Sequence, residues 1–222
     1  MNFQQLQSRS ASLAELEGYT DANNPPRWDV LVNRAWVEFS WDAEIVVAAV
    51  TLTATIGQAL CTLPTINNGP FKEILDVIWD YGNTNGPVGR STEAFERNMN
   101  PSWLSAASGV PVRWAVGTYD VIALSPPPNA AATVWVRGVC QGLPMTAATD
   151  LPGLQGGVGM PIPEALHEAI AYRAAWLQNI GYAQGDAMTA RLSQYDERYK
   201  AAVASCRVSM NKGYRRHTEE EG

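Results

Sequence analysis

Apolar positions along the chain change their spacing twice. Trp28, Leu31, Val32, Ala35, Trp36 and Phe39 recur at intervals of three and four, which places them on one face of a helix. Asn24 stands where a helix cap belongs, Pro25 suits a first turn, and Asn33 and Arg34 fall off the stripe. Upstream, Ser12 and Glu15 have capping-box spacing inside a stretch that already reads helical. Beyond residue 44 the period drops to two. In VTLTATI (50–56), Val50, Leu52, Ala54 and Ile56 alternate with three threonines, the pattern of a half-buried strand. Gly57-Gln58 turns the chain into ALCTLP, and EILDVIWDY (73–81), VRWAV (112–116), VIALS (121–125) and TVWVRGV (133–139) read as further strands. Between them lie the turn-rich GNTNGPVG and a short helix starting near Ser91. Short strands with this punctuation predict a small sandwich or barrel-like sheet.

The helical period then returns. One helix is predicted from near Pro163 to about Gly181, and another from about Gly185 to Lys212. In the second, Met188, Leu192, Tyr195, Tyr199, Val203, Cys206 and Met210 form one sustained stripe. Gly213 is placed as a C-cap, and the aperiodic tail YRRHTEEEG is expected to be disordered in the isolated chain. Helices at both ends with strands between predict an α+β fold: a helical bundle of N- and C-terminal helices around a small antiparallel β-domain. The corresponding divisions are 1–44, 45–145, 146–213 and a tail at 214–222.

Composition narrows the function. The chain has 222 residues, 46% hydrophobic and only 17% charged, with eight Trp and eight Tyr, so its surface carries apolar area of the kind that marks contact with other chains. Its formal net charge of −6, with 16 Lys and Arg in no dense cluster, argues against tight nucleic-acid binding, which rests on neutralising phosphates. Cys61, Cys140 and Cys206 are far apart and odd in number, which favours a reducing compartment over a disulfide framework. The N-terminus lacks the basic and apolar regions of a signal peptide, and the apolar stretch around Ile45–Val50 is too short to span a membrane.

Candidate chemistry is thin. Glu164 and His167 have Glu-x-x-His spacing, used in di-iron bundles, but no second motif accompanies them, and a solvated helix-start histidine is the expected role of His167. GLQGGVG (153–159) precedes a helix yet lacks the Gly-Lys-Ser/Thr of a phosphate loop, so it reads as a stiff connector. With two histidines and no Gly-x-Ser-x-Gly elbow, no acid, base, nucleophile or metal set emerges, and neither enzymatic activity nor a cofactor is predicted. Asp76 and Asp80 read as solvated surface, and Tyr195, Tyr199 and Trp176 as core. The stretch SPPPN (125–129), between two strand-like runs, predicts a stiffened hairpin.

The succession LVNRAWVEFSW (31–41), VTLTATIGQALCTLP (50–64), ILDVIWDYG (74–82), PVRWAVGTYDVIALSPPPNAAATVWVRGV (111–139), DLPGL (150–154) and IPEALHEAIAYRAAWL (162–177) resembles the head-to-tail adaptor proteins of tailed bacteriophages over roughly residues 25–210. That resemblance implies a structural virion protein, made in the host cytoplasm and located in the neck. It implies a dodecameric ring of copies beneath the portal protein, in contact with a downstream tail or nozzle protein, with genomic DNA passing through unbound. It also implies a portal-docking segment at the C-terminal end, where Tyr214, Arg215, Arg216 and His217 are the candidate anchors, although TEEEG falls outside the family pattern. Pro126, Pro127 and Pro128 are the candidate contact corner of the β-domain. The alternatives are another neck or tail-completion ring, and a β-sandwich ligand-binding module with helical appendages.

Overall fold

A computed structural model describes residues 1–15, 27–66, 69–81, 84–118, 120–155, 158–159, 161–180 and 185–219, with backbone alone at 81, 84–85, 155, 158–159 and 209–219. The fold is α+β. In chain order the elements are α1 (Phe3–Glu15), α2 (Trp28–Ala43), β1 (Val47–Ala54), β2 (Leu60–Thr62), β3 (Glu73–Tyr81), β4 (Thr84–Pro87), β5 (Gly89–Arg90), α3 (Glu93–Met99), β6 (Arg113–Thr118), β7 (Val121–Ser125), β8 (Ala132–Val139), β9 (Leu154–Gln155), β10 (Val158–Gly159), α4 (His167–Asn179) and α5 (Asp186–Glu219). Two compact units result: Met1–Val46 with Gln141–Gly222, and Val47–Cys140.

The helical unit is built around α4, which packs against α1, α2 and α5. Its Ala169, Ala171, Ala174 and Ala175 are all buried, and such small side chains let neighbouring helices approach closely. Val32, Ala35, Trp36 and Phe39 from the predicted α2 stripe enter the same core, as do Leu192, Tyr195, Tyr199 and Cys206 from the α5 stripe. The first turn of α1 is closed by a reciprocal box: Gln5 N–H donates to Asn2 Oδ1 at 2.9 Å and Asn2 N–H to Gln5 Oε1 at 2.8 Å. Ser12 and Glu15 lie inside this helix instead of starting one. The Asn24 and Pro25 positions lie outside the described residues, and α2 begins at Trp28 with Arg27 at its cap.

On leaving β8 the chain is gripped by one face of α2. Gly142 N–H donates to Ser40 Oγ at 2.7 Å, and Trp36 Nε1 donates to the Leu143 carbonyl at 2.8 Å. Asn33 bonds Met145 on both main-chain groups, donating to its carbonyl at 2.9 Å and accepting from its N–H at 2.7 Å. A Cβ built on Gly142 would lie 2.4 Å from the Trp36 ring, so only glycine allows this approach.

Two four-stranded sheets form the β-unit, in the orders β1-β8-β3-β4 and β2-β7-β6-β5. Strand β8 alternates, with Val134 and Val136 buried and Thr133, Trp135 and Arg137 exposed. Strand β7 is buried from Ile122 to Ser125 because Trp103 covers Ala115 and Ala123 on one side of the sheet. Among the named strands pairing is antiparallel except for the two-residue β5, which runs parallel to β6 at the edge of its sheet.

Three further expectations change. SPPPN does not close a hairpin: β7 and β8 belong to different sheets, and the prolines carry the chain from one to the other. Gly213 does not cap α5, whose backbone is helical to Glu219; the end of the predicted tail, 220–222, lies outside the described residues. His167 is not solvated: it is 3% exposed, with a ring nitrogen 3.2 Å from the Ile162 carbonyl.

Because the Trp36 ring is fully buried and cannot retreat, Gly142→Ala is expected to cost about 1–3 kcal/mol by overpacking. Gly86→Ala, where a new Cβ meets nothing within 4 Å, stays within about 0.5 kcal/mol of wild type. Urea unfolding of the two variants checks the contrast.

Candidate assembly interface

Within the β-unit one carboxylate stands apart. Glu96, on α3, is 2% exposed. Its Oε1 accepts from Arg113 Nε at 2.5 Å and Ser91 Oγ at 2.7 Å, and its Oε2 accepts from Ser125 Oγ at 2.7 Å. The Arg113 hydrogen bond, with help from both serines, holds its pKa down to about 2 against the opposing effect of burial. A perturbed carboxylate is a usual sign of an active site, but here both oxygens are occupied by side chains of the same unit. Glu96 is a structural hub that ties α3 to β6 and β7.

Other candidate chemistry disperses in the same way. Glu164 lies in a short 3-10 turn with an 82% exposed side chain and buried His167 opens α4; the two meet only through the Met1 amine, 3.2 Å from Glu164 Oε1 and 2.6 Å from His167 Nδ1. Burial, then the nearby Met1 amine, lowers the His167 pKa. Leu154–Gln155 and Val158–Gly159 pair as strands, so the glycine-rich stretch does not lead directly into a helix. All three cysteines are buried, and burial pushes the Cys61 thiol up to about 11. Among the described residues no three His, Cys, Asp or Glu side chains are gathered to hold a metal, and no helix is long and apolar enough to cross a membrane.

What the β-unit does present is apolar surface. On the outer face of the first sheet Trp135 pairs in register with Thr51 on one side and Ile78 on the other. Trp135 is 46% and Ile78 42% exposed. Beside them Arg137 pairs with Asp76 across the strands, and the depression they share is lined also by Ala49 and Asp80. A second apolar groove, on the other sheet, is formed by Leu60, Leu104, Val116 and Val121 beside Trp103. Residues 47–140 contain only five basic and six acidic residues, so these faces are weakly charged and suited to contact with protein. Reading residue types alone missed Trp135 and Ile78, whose signal was parity: each occupies the outward position of an alternating strand.

The predicted contact residues are separated between the units. Pro127 and Pro128 are buried and Pro126 half-buried, so packing inside the β-unit absorbs most of their surface. Tyr214, Arg215, Arg216 and His217 follow one another on the last helical turns of α5. Upstream, α5 is fixed to the bundle. Tyr199 Oη donates to Asp42 Oδ2 at 2.7 Å, Arg207 Nε donates to the Asp42 carbonyl at 2.7 Å, and Arg173 of α4 lies 5.0 Å from the Tyr199 ring while bonding Glu38 at 2.7 Å. Burial and the Asp42 partner raise the Tyr199 pKa.

A family model described as SU10 adaptor protein matches residues 1–218. The chain belongs to the SU10 adaptor protein family. This is a tailed-phage head-to-tail adaptor family, structural in kind and not a family of enzymes. No curated protein matches the chain. The match runs beyond the 25–210 range of the sequence resemblance at both ends and includes the Tyr214–His217 turn of α5. In an SU10 adaptor protein the surfaces that matter are those that touch other proteins. Glu96, with both oxygens taken up by Arg113, Ser91 and Ser125, holds three elements of its unit together.

Its depressed pKa has a pH signature. The folded form binds its proton less readily than the unfolded chain, whose carboxylate titrates near 4.5. The stabilisation is therefore complete above about pH 4.5 and is lost as pH falls towards about 2. Glu96→Gln is expected to lower stability at pH 7 by about 1.5–3 kcal/mol and to flatten this acid limb. Denaturant melts at pH 7 and pH 3 check both outcomes.

Proposed function

We propose that this adaptor assembles as a dodecameric ring beneath the phage portal, joins the capsid to the tail and continues the DNA channel. The family match over residues 1–218 carries the reading. The helical unit contacts the portal through the end of α5, and the exposed faces of the β-unit meet neighbouring copies and the downstream tail or nozzle protein. The geometry of α5 supports this division. At 34 residues it is about 51 Å long, against about 20 Å for the 13-residue α4. Its last buried described side chain is Cys206. From Arg207 to His217 the sequence holds Arg207, Lys212, Arg215 and Arg216 and no acid. This basic run, which precedes Glu219, Glu220 and Glu221, gives Tyr214, Arg215, Arg216 and His217 an acidic or carbonyl-rich pocket as their natural receptor.

In this reading the DNA slides and is not gripped. Each copy adds a formal charge of −6 to the ring, while a gripping lumen would need a dense positive lining. Screening over about 8 Å at physiological salt keeps an acidic wall from blocking the duplex.

Deleting residues 214–222 is expected to weaken co-sedimentation with the portal at least tenfold. The circular dichroism melt of the adaptor itself stays in place, because Cys206, the last buried side chain among the described residues of α5, lies upstream. Unchanged portal binding overturns the assignment of α5. The purified protein is also expected to give no mobility shift of duplex DNA at about 0.15 M salt; a tight complex with a steep salt slope overturns the passive channel.

A further inference from the structure

The two sheets have four outer edges, and they are not equally defended. Strand β2 has three residues and β5 has two, while β4 has four and ends in Pro87. Short strands and proline are common ways of keeping a sheet edge from recruiting another strand. The fourth edge, β1, has none of them. It runs eight residues as VAAVTLTA, without charge or proline, and pairs with β8 in one unbroken register from Val47↔Val139 to Ala54↔Ala132. Among the described residues β8 is its only strand partner, and no main-chain hydrogen bond outside that ladder reaches residues 47–54. Every second N–H and C=O along its far side is therefore without a main-chain partner among the described residues. Val50 and Leu52, which belong to the inward row, remain only half-buried, as expected where a neighbouring strand would complete their cover.

We infer that the open edge of β1 pairs with an extended segment of a neighbouring copy of the same protein, extending the first sheet from one subunit into the next. The chemistry of the occupant follows from the edge itself. It is a strand that offers main-chain hydrogen bonds, apolar side chains beside Val50 and Leu52, and uncharged ones beside Ala49, Thr51 and Thr53. The area selects a second copy over a free peptide or a soluble dimer. Eight residues make a ribbon about 26 Å long and about 10 Å deep, burying roughly 500 Å² over both sides. Stable interfaces need about 1,200 Å² or more. Such an edge closes only when other contacts already hold the two chains side by side, which supplies a high effective concentration. This inference rests on the ring reading.

Amide deuterium exchange across residues 47–54 is compared in the free chain, in the chain mixed with portal below ring-forming concentration, and in the ring assembled on its portal. The outward half of the β1 amides is expected to exchange rapidly in the first two states and at least tenfold more slowly in the ring. In parallel, Thr53→Lys on the edge is compared with Thr133→Lys, its register partner on the interior strand β8. Both leave the melting temperature of the free chain unchanged, and only Thr53→Lys is expected to weaken ring formation, by tenfold or more. A ring whose β1 amides stay unprotected overturns this inference and leaves the ring reading standing. Protection already present with portal below ring-forming concentration identifies the portal as the occupant and overturns it equally. Failure of any ring to form overturns both.

Discussion

The helical unit depends on the grip of α2 on residues 142–145. The bundle is made of two chain pieces separated by the whole β-unit, the 94 residues of Val47–Cys140. Bringing the ends of a loop that long together costs about 4 kcal/mol in chain entropy, and the second piece must also arrive in register. Asn33, Trp36 and Ser40 fix that register on a segment that is neither helix nor strand. Each satisfies a main-chain group of that segment, the Gly142 N–H being buried. Asp150 continues the task by accepting from the N–H groups of Thr146 and Ala147 at 2.8 Å each, while its carbonyl accepts from Phe3 N–H at the start of α1. The return segment thus touches α2 and α1 before α4 begins.

Legibility in the sequence followed how local the cause of each feature was. The stripes of α2 and α5 were readable because apolar periodicity is set by the core each helix meets, and Trp36, Phe39, Leu192, Tyr195 and Tyr199 are all buried. The partners of Asn33 and Ser40 were not readable, because they lie about a hundred residues away and polar residues off a stripe look like solvent. The SPPPN corner shows the limit most clearly. Any turn between two strand-like runs reads as a hairpin, and only non-local pairing reveals a crossover. Even so, a local clue existed. VIALS is continuously apolar up to its serine and TVWVRGV alternates, as befits a strand covered on both faces and one covered on a single face.

The candidate contact residues followed the same division. A basic run near the C-terminal end is visible as composition, but that its backbone stays helical depends on propagation from a well-anchored helix upstream. The prolines at 126–128 looked like surface because proline is common in exposed turns, whereas two of the three serve as internal packing. Trp135 and Ile78 hid because large apolar residues are assigned to cores by default. Their exposure follows from strand parity, and parity is set by which face the rest of the unit covers.

Synthesis gives the discontinuous bundle one further property. The two halves of its core leave the ribosome far apart in time, because about 136 residues separate the end of α2 at Ala43 from the end of α4 at Asn179. At roughly 5–20 residues per second, α2 waits about 7–27 s for the whole of α4, its main partner in the core. The β-unit, whose strands all lie between Val47 and Cys140, emerges whole within that interval. The nascent chain therefore passes through a stage in which the strands of the sheet pair are all made while α4, the central helix of the bundle, is not.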